Sequence, residues 1–225
     1  MDDLVLDRFH DIEDLKRVMI ALRGENGCPW DKIQTHESIR QDCLEEAYEV
    51  CEAIDENNSE HLKEELGDLL LQVIFHARIE EEKGNFDFND VCDGISTKLI
   101  NRHPHVFGDK ELYSGAEKYD AWEKAKQIEH GQNTLKEALN GISKTLPSVW
   151  RCGKIIKKAS KAGEIFDTDI GKNVDKLNEA IKNNEDIEKC YSDLMFSIIS
   201  NIYDKIDPEL ALQRACDAYI ETLEK

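Results

Sequence analysis

The chain has 225 residues, 40% of them apolar, and sets 29 Lys and Arg against 48 Asp and Glu for a formal charge of -19 at pH 7. A field of that sign repels nucleic acid and anionic membrane surfaces, so neither is expected as a partner. The length suits one large or two small domains.

The opening MDDLVLDRFHDIEDL is acidic and lacks the apolar stretch of a secretion signal, and no run approaches the roughly 20 apolar residues of a membrane span. A soluble, cytoplasmic protein is expected. The seven cysteines (Cys28, Cys43, Cys51, Cys92, Cys152, Cys190, Cys216) have no CxxC spacing and an odd count, which reads as reduced thiols rather than a disulfide framework or a zinc cage.

Apolar residues recur at helical spacing: Leu15, Val18, Met19 and Leu22, then Leu44, Ala47, Tyr48, Cys51 and Ile54, then Leu62, Leu66, Leu69, Leu70 and Val73. The pattern predicts an all-α fold, with helices over 7–23, 36–57, 59–83, 87–101 and 115–130 and no strand. Asn58-Ser59 reads as a tight turn, with Ser59 capping the third helix, and so short a turn makes the second and third helices antiparallel. GENGCPWDKIQTHES, between the first two helices, reads as an ordered loop, and RHPHVFGDKELYSGAE as a second irregular stretch.

From 127 to 147 the chain turns polar and Gly-containing, which places a first domain at 1–130, a linker at 131–147 and a second domain at 148–225. VDKLNEAIKNNEDIEKCYSDLMFSIISNI echoes the rhythm of the Glu45–Ile79 hairpin. Aligned that way, Ala180, Asn183 and Cys190 stand opposite Glu46, Glu49 and Glu65, and Asp193 alone keeps the acidic character of Asp68. The chemistry is therefore expected in the first half.

That chemistry is announced by carboxylates inside two otherwise apolar helices, in LEEAYEVCEAI and LKEELGDLLLQVIF. Residues three or four apart share a helix face, so Glu46 lies with Glu49, and Glu65 with Asp68. Burying such a group costs several kcal/mol per ion unless a cation compensates it. Oxygen ligands with no neighbouring His or Cys suit Mg²⁺ or Mn²⁺.

EExxE followed by ExxD, preceded by GCPWDKIQTHES and followed by KLINRHPHVFGD and YDAWEKAK, resembles the MazG-type nucleoside triphosphate pyrophosphohydrolases. The likeness covers most of residues 15–130 and runs on more weakly to the C-terminus. It implies two MazG-like domains, usually assembled as a dimer, that hydrolyse a nucleoside triphosphate to nucleoside monophosphate and pyrophosphate with Mg²⁺. The second half departs from the family's acidic pattern, which leaves the first domain as the active one.

Carried onto this chain, the resemblance makes Glu46, Glu49, Glu65 and Asp68 metal ligands. Glu45 either orients the attacking water or joins a second metal, or else sits at the bundle surface in an ion pair; Glu52, Glu56 and Glu64 read as surface residues. Lys98 and Arg102, one turn apart, and Trp122 and Lys126, one turn apart on the next helix, match positions that contact the nucleotide. A triphosphate carries about four negative charges, of which one Mg²⁺ neutralises only part, leaving phosphate contacts for Lys and Arg. Trp122 and Trp30 are either stacking surfaces for a base or ribose, or core fillers. His103 and His105 fit a loop-fixing role as well as a catalytic one, and Asp31, Gln34 and His36 match the family loop. The main rival is a nucleotide-binding or interaction module that keeps the carboxylates without turnover. A di-iron carboxylate bundle is disfavoured, since none of the seven histidines has a Glu three residues before it.

Overall fold

The computed structural model describes residues 10–108, 134–166 and 169–223, and among these every regular element is helical. The chain divides into two compact units, Met1–Tyr113 and Ser114–Lys225. The helix predicted over 115–130, with Trp122 and Lys126, lies outside the described residues.

The first unit is built on α1 (Ile12–Arg23), α2 (Pro29–Ile33), α3 (Arg40–Asp55), α4 (Ser59–Glu82), α5 (Phe88–Arg102) and α6 (Pro104–Phe107). The first helix starts at Ile12 rather than near residue 7 because Asp11 caps it: its side chain accepts from the amides of Glu13 and Asp14, and Asp14 returns the bond to Asp11 N–H. The second long helix starts at Arg40 rather than 36, since Thr35 N–H donates to Ser38 Oγ and turns the chain there. The stretch read as a loop contains α2, started by Pro29 at its first position. The cap of α4 is Asn58, which accepts from the His61 amide, and Ser59 is already helical; Asn57, at φ 60°, makes the reversal.

Helix α4 is the spine, with α3, α1 and α5 all packing on it and α3 antiparallel beside it. Met19, Ile39, Ile74, Phe75 and Ile79 form the buried core, flanked by Leu15, Leu71 and Phe88. Arg23 ties the elements together: it pairs with Glu82 at 2.7 Å, donates to the carbonyl of Asp31 at 2.6 Å, and lies over the Phe75 ring. The GCPWD stretch is thereby fixed to both α1 and α4.

In the second unit α7 (Leu135–Asn140) is followed by α8 (Ser148–Lys161), α9 (Ile170–Asn183), α10 (Ile187–Ile202) and α11 (Pro208–Leu223). Thr134 and Glu137 form a capping box for α7, so part of the stretch read as a linker is helical, and Lys158 anchors it by donating to the Ala138 carbonyl at 3.0 Å. Helices α9 and α10 make a tight hairpin, reversed through Asn184 and Asp186 at φ 56° and 52°. Asn173 Nδ2 donates to Ser197 Oγ at 3.1 Å inside it, and Ile156, Ala159, Ala180 and Ile199 close the core.

Candidate metal centre

The α3–α4 hairpin brings carboxylates from two helices together. Glu46, Glu49 and Glu65 each offer an oxygen, and the three lie within 4.8 Å of one another, the sole such group of three or more potential ligands among the described residues. Glu65 is buried at 8% exposure, while Glu46, Glu49 and Asp68 are half-buried.

Their electrostatics show the strain of crowding. Desolvation, with the negative charges of Asp68, Glu49, Glu65 and Glu45, pushes the Glu46 carboxyl above its ordinary range. Glu65 is pushed up by desolvation and by Glu49 and Asp68, against the opposing pull of His61. Asp68 thus lies within electrostatic reach of the cluster without being one of its three converging ligands. Carboxylates raised in this way are stabilised in their charged form by a cation, and an all-oxygen donor set suits a hard divalent ion.

Two expectations about the surroundings need correction. The cluster does have a histidine beside it: His61, one turn before Glu65, places Nε2 3.1 Å from Glu65 Oε1 and Nδ1 2.9 Å from Glu56 Oε2. Glu56, expected as a plain surface residue, is thus a partner that lifts the His61 pKa, chiefly by its hydrogen bond. The apolar residues around the carboxylates are also less enclosed than their spacing implied, with Leu44 at 56% and Leu66 at 50% exposure. Desolvation at the cluster comes from the hairpin seam itself.

The remaining described candidates lie on or at the ends of α2, α3 and α5. Glu45 is exposed at the edge of α3, its charge felt by Glu46. Lys98 is exposed and Arg102 half-buried, both on α5, which packs along α4. Trp30, on α2, is 57% exposed and so no core filler. His103 Nδ1 donates to the Leu99 carbonyl at 2.7 Å and closes the end of α5, which favours its loop-fixing role.

Sequence reasoning also passed over a polar seam along α4. His61, Glu65, Asp68, Gln72, His76 and Glu80 recur at intervals of three or four residues and so share one face. The signal was present as a polar periodicity, masked by the apolar residues interleaved with it. Buried Gln72 has no hydrogen-bond partner for its Oε1, and His76 Nδ1 lies 2.8 Å from His36 Nδ1, with the rings stacked. His36 Nε2 donates to Glu80 at 2.6 Å. Bonds to Lys83, Asn85 and His36, in that order of effect, hold the Glu80 carboxyl at about 2. His36, in the QTHES segment, is therefore a tether between that segment and α4.

Comparison with known proteins agrees with this geometry. Residues 34–107 match the MazG nucleotide pyrophosphohydrolase domain, a span that holds α3, α4 and α5. A Thermotoga maritima protein named nucleoside triphosphate pyrophosphohydrolase/pyrophosphatase MazG is 40% identical over 222 residues, covering 95% of this chain and 84% of its own length. The Escherichia coli K12 nucleoside triphosphate pyrophosphohydrolase is 40% identical over 226 residues, covering 94% of this chain and 85% of its own length. With full-length similarity on this scale, and a domain match centred on the carboxylate hairpin, the chain belongs to the MazG nucleotide pyrophosphohydrolase family.

Proposed function

We propose that the first unit hydrolyses nucleoside triphosphates to nucleoside monophosphate and pyrophosphate, with Mg²⁺ (or Mn²⁺) held by Glu46, Glu49, Glu65 and Asp68. The observation that carries this reading is the convergence of three carboxylate oxygens within 4.8 Å across the α3–α4 seam, in a chain whose relatives are named for that activity.

A bound divalent ion would withdraw charge from the phosphates and acidify a coordinated water. Glu45 accepts the proton of the attacking water and holds that water in line with the α-phosphorus. The new bond is from water oxygen to the α-phosphorus; the bond that breaks joins the α-phosphorus to the bridging oxygen, which leaves with pyrophosphate. Lys98, Arg102 and Lys126 neutralise the charge that grows on the leaving group. Trp30 and Trp122 present flat faces to the base, a contact that tolerates any base because each has a π-surface.

We further assign the second unit as a degenerate MazG-like domain: its α9–α10 hairpin repeats the architecture, but Ala180, Asn183 and Cys190 supply no carboxylates there. Leu44, Tyr48, Leu66, Leu70, Ile95 and Leu99 are exposed apolar residues on α3, α4 and α5; this exposure supports a homodimer in which a second copy covers them. No helix among the described residues is long and apolar enough to cross a membrane.

The test is to incubate the protein with each nucleoside triphosphate and Mg²⁺ and to resolve monophosphate from diphosphate. Monophosphate and pyrophosphate are expected in equal amounts, and Glu49→Ala should abolish both while circular dichroism is unchanged. A Glu49→Ala protein that retains activity overturns the assignment. Saturable nucleotide binding without turnover would instead favour the non-catalytic module.

A further inference from the structure

The second unit has a cleft that the carboxylate chemistry does not use. It is about 450 Å³ in volume and lies between the first half of α8 and the turn joining α10 to α11, lined by Trp150, Gly153, Lys154 and Lys157 on one side and Tyr203 and Lys205 among those on the other. The volume falls within the roughly 300–1,000 Å³ of small-molecule sites. Asp193, the surviving acidic position of the second hairpin, is ten residues before Tyr203 on α10. At about 1.5 Å rise per residue the two stand about 15 Å apart along the helix, so the cleft is not a relic of the metal position.

Its chemistry runs against the rest of the molecule. In a chain of formal charge -19, the α8 segment SVWRCGKIIKKASK carries five cations and no acid. Trp150, Lys154 and Lys157 follow at i, i+4 and i+7, a single stripe of that helix turned into the cleft. Trp150 keeps 46% of its surface exposed, and Lys154 Nζ sits 5.5 Å from its ring centre. Neither lysine has a carboxylate partner among the described residues. Two acids stand at the rim: Asp204, and Asp207, whose carboxylate is turned to capping α11 by accepting from the amides of Glu209 and Leu210. Gly153 keeps the middle of the stripe open: a Cβ built there meets nothing within 4 Å.

An exposed indole with one lysine ammonium over its ring, beside a second ammonium that has no carboxylate partner, fits a ligand that couples a flat ring to phosphate. We propose that this cleft binds a nucleoside mono- or diphosphate without a divalent ion, the base against Trp150 and the phosphate on Lys154 and Lys157, as a site separate from the catalytic centre.

The experiment is calorimetric titration of the full chain, carrying Glu49→Ala and kept in EDTA so that the first unit contributes no metal-dependent binding, with AMP, adenosine and inorganic pyrophosphate. AMP is expected to bind more tightly than adenosine or pyrophosphate. Replacing Lys154 and Lys157 together by Gln should weaken AMP at least about tenfold. Trp150→Ala should weaken AMP and leave pyrophosphate unchanged. Gly153→Phe, which places a ring in open space and leaves the core untouched, should block AMP while the melting temperature stays constant. The proposal is overturned if AMP gives no saturable heat, if Gly153→Phe or the double Gln variant binds AMP as the parent does, or if pyrophosphate matches AMP.

Discussion

His61 stands with one ring nitrogen 3.1 Å from the Glu65 carboxylate and the other 2.9 Å from that of Glu56, so a single imidazolium clasps the end of α3 to the ligand-bearing face of α4. Its pKa is raised, first by the Glu56 bond and then by surrounding carboxylates. A base with a raised folded-state pKa stabilises fully below its unfolded value, about 6.5, and the contribution is lost as pH rises through the folded pKa. Denaturant melts of the metal-free protein should therefore show a loss of stability between neutral and mildly alkaline pH that His61→Asn removes. An unchanged pH profile in that variant would show that the clasp does not form.

The carboxylate cluster moves stability in the same direction with pH, for a different reason. The raised pKa of Glu46 means that its ionised form is disfavoured in the folded protein, so the metal-free protein gains stability as pH falls from 7 toward the carboxylate range. Glu46→Gln should raise the melting temperature of the metal-free protein. The same variant should lose the further rise that saturating Mg²⁺ gives the parent. Thermal scans with and without the ion read both effects.

The tether of the QTHES segment should be acid-sensitive. Burial, with His36 beside it, lowers the His76 pKa, so protonation of His76 is favoured by unfolding and stability declines as pH drops below about 6.5. Glu80, held at about 2, stays ionised through that window and adds a second loss only at far lower pH. Hydrogen exchange at pH 5.5 should accelerate in residues 34–39 relative to α3, and His76→Phe should flatten the dependence. Equal protection at pH 5.5 and 7.5 in the parent would contradict this.

Ile74 is 2% exposed at the centre of the first core and Ile156 is fully buried in the second unit. Truncating Ile74 to Ala removes packing on the spine helix and should cost about 2–5 kcal/mol. Because the two units have separate cores, Ile74→Ala should move the unfolding transition of the first unit and Ile156→Ala that of the second. Calorimetric scans in which both variants shift one and the same transition would show that the units unfold together.

Much of this was legible in the residues. The period of the apolar positions marks α1, α3, α4 and α5, and the pairs Glu46–Glu49 and Glu65–Asp68 share faces by spacing alone. Boundaries were less readable because caps are settled by side-chain bonds of similar worth: Asn58 and Ser59 are both good capping residues, and local geometry selected Asn58. The short α2 escaped notice because five residues are too few to show a period. His61 was missed for a different reason. Its link to Glu65 spans one helical turn and could have been read from the spacing, but its second bond depends on where the hairpin turn returns Glu56.

Gly27 has a consequence for movement. A Cβ at that position would stand 2.1 Å from the Leu22 carbonyl oxygen, and Cys28 N–H donates to that same oxygen at 2.8 Å. The chain leaving α1 is thereby pressed against the helix end, with no room for a hinge. Trp30 is therefore carried on a stretch anchored on both sides, by this crowding before it and by the His36–Glu80 bond after it, so an arriving base meets an indole whose backbone is already in place.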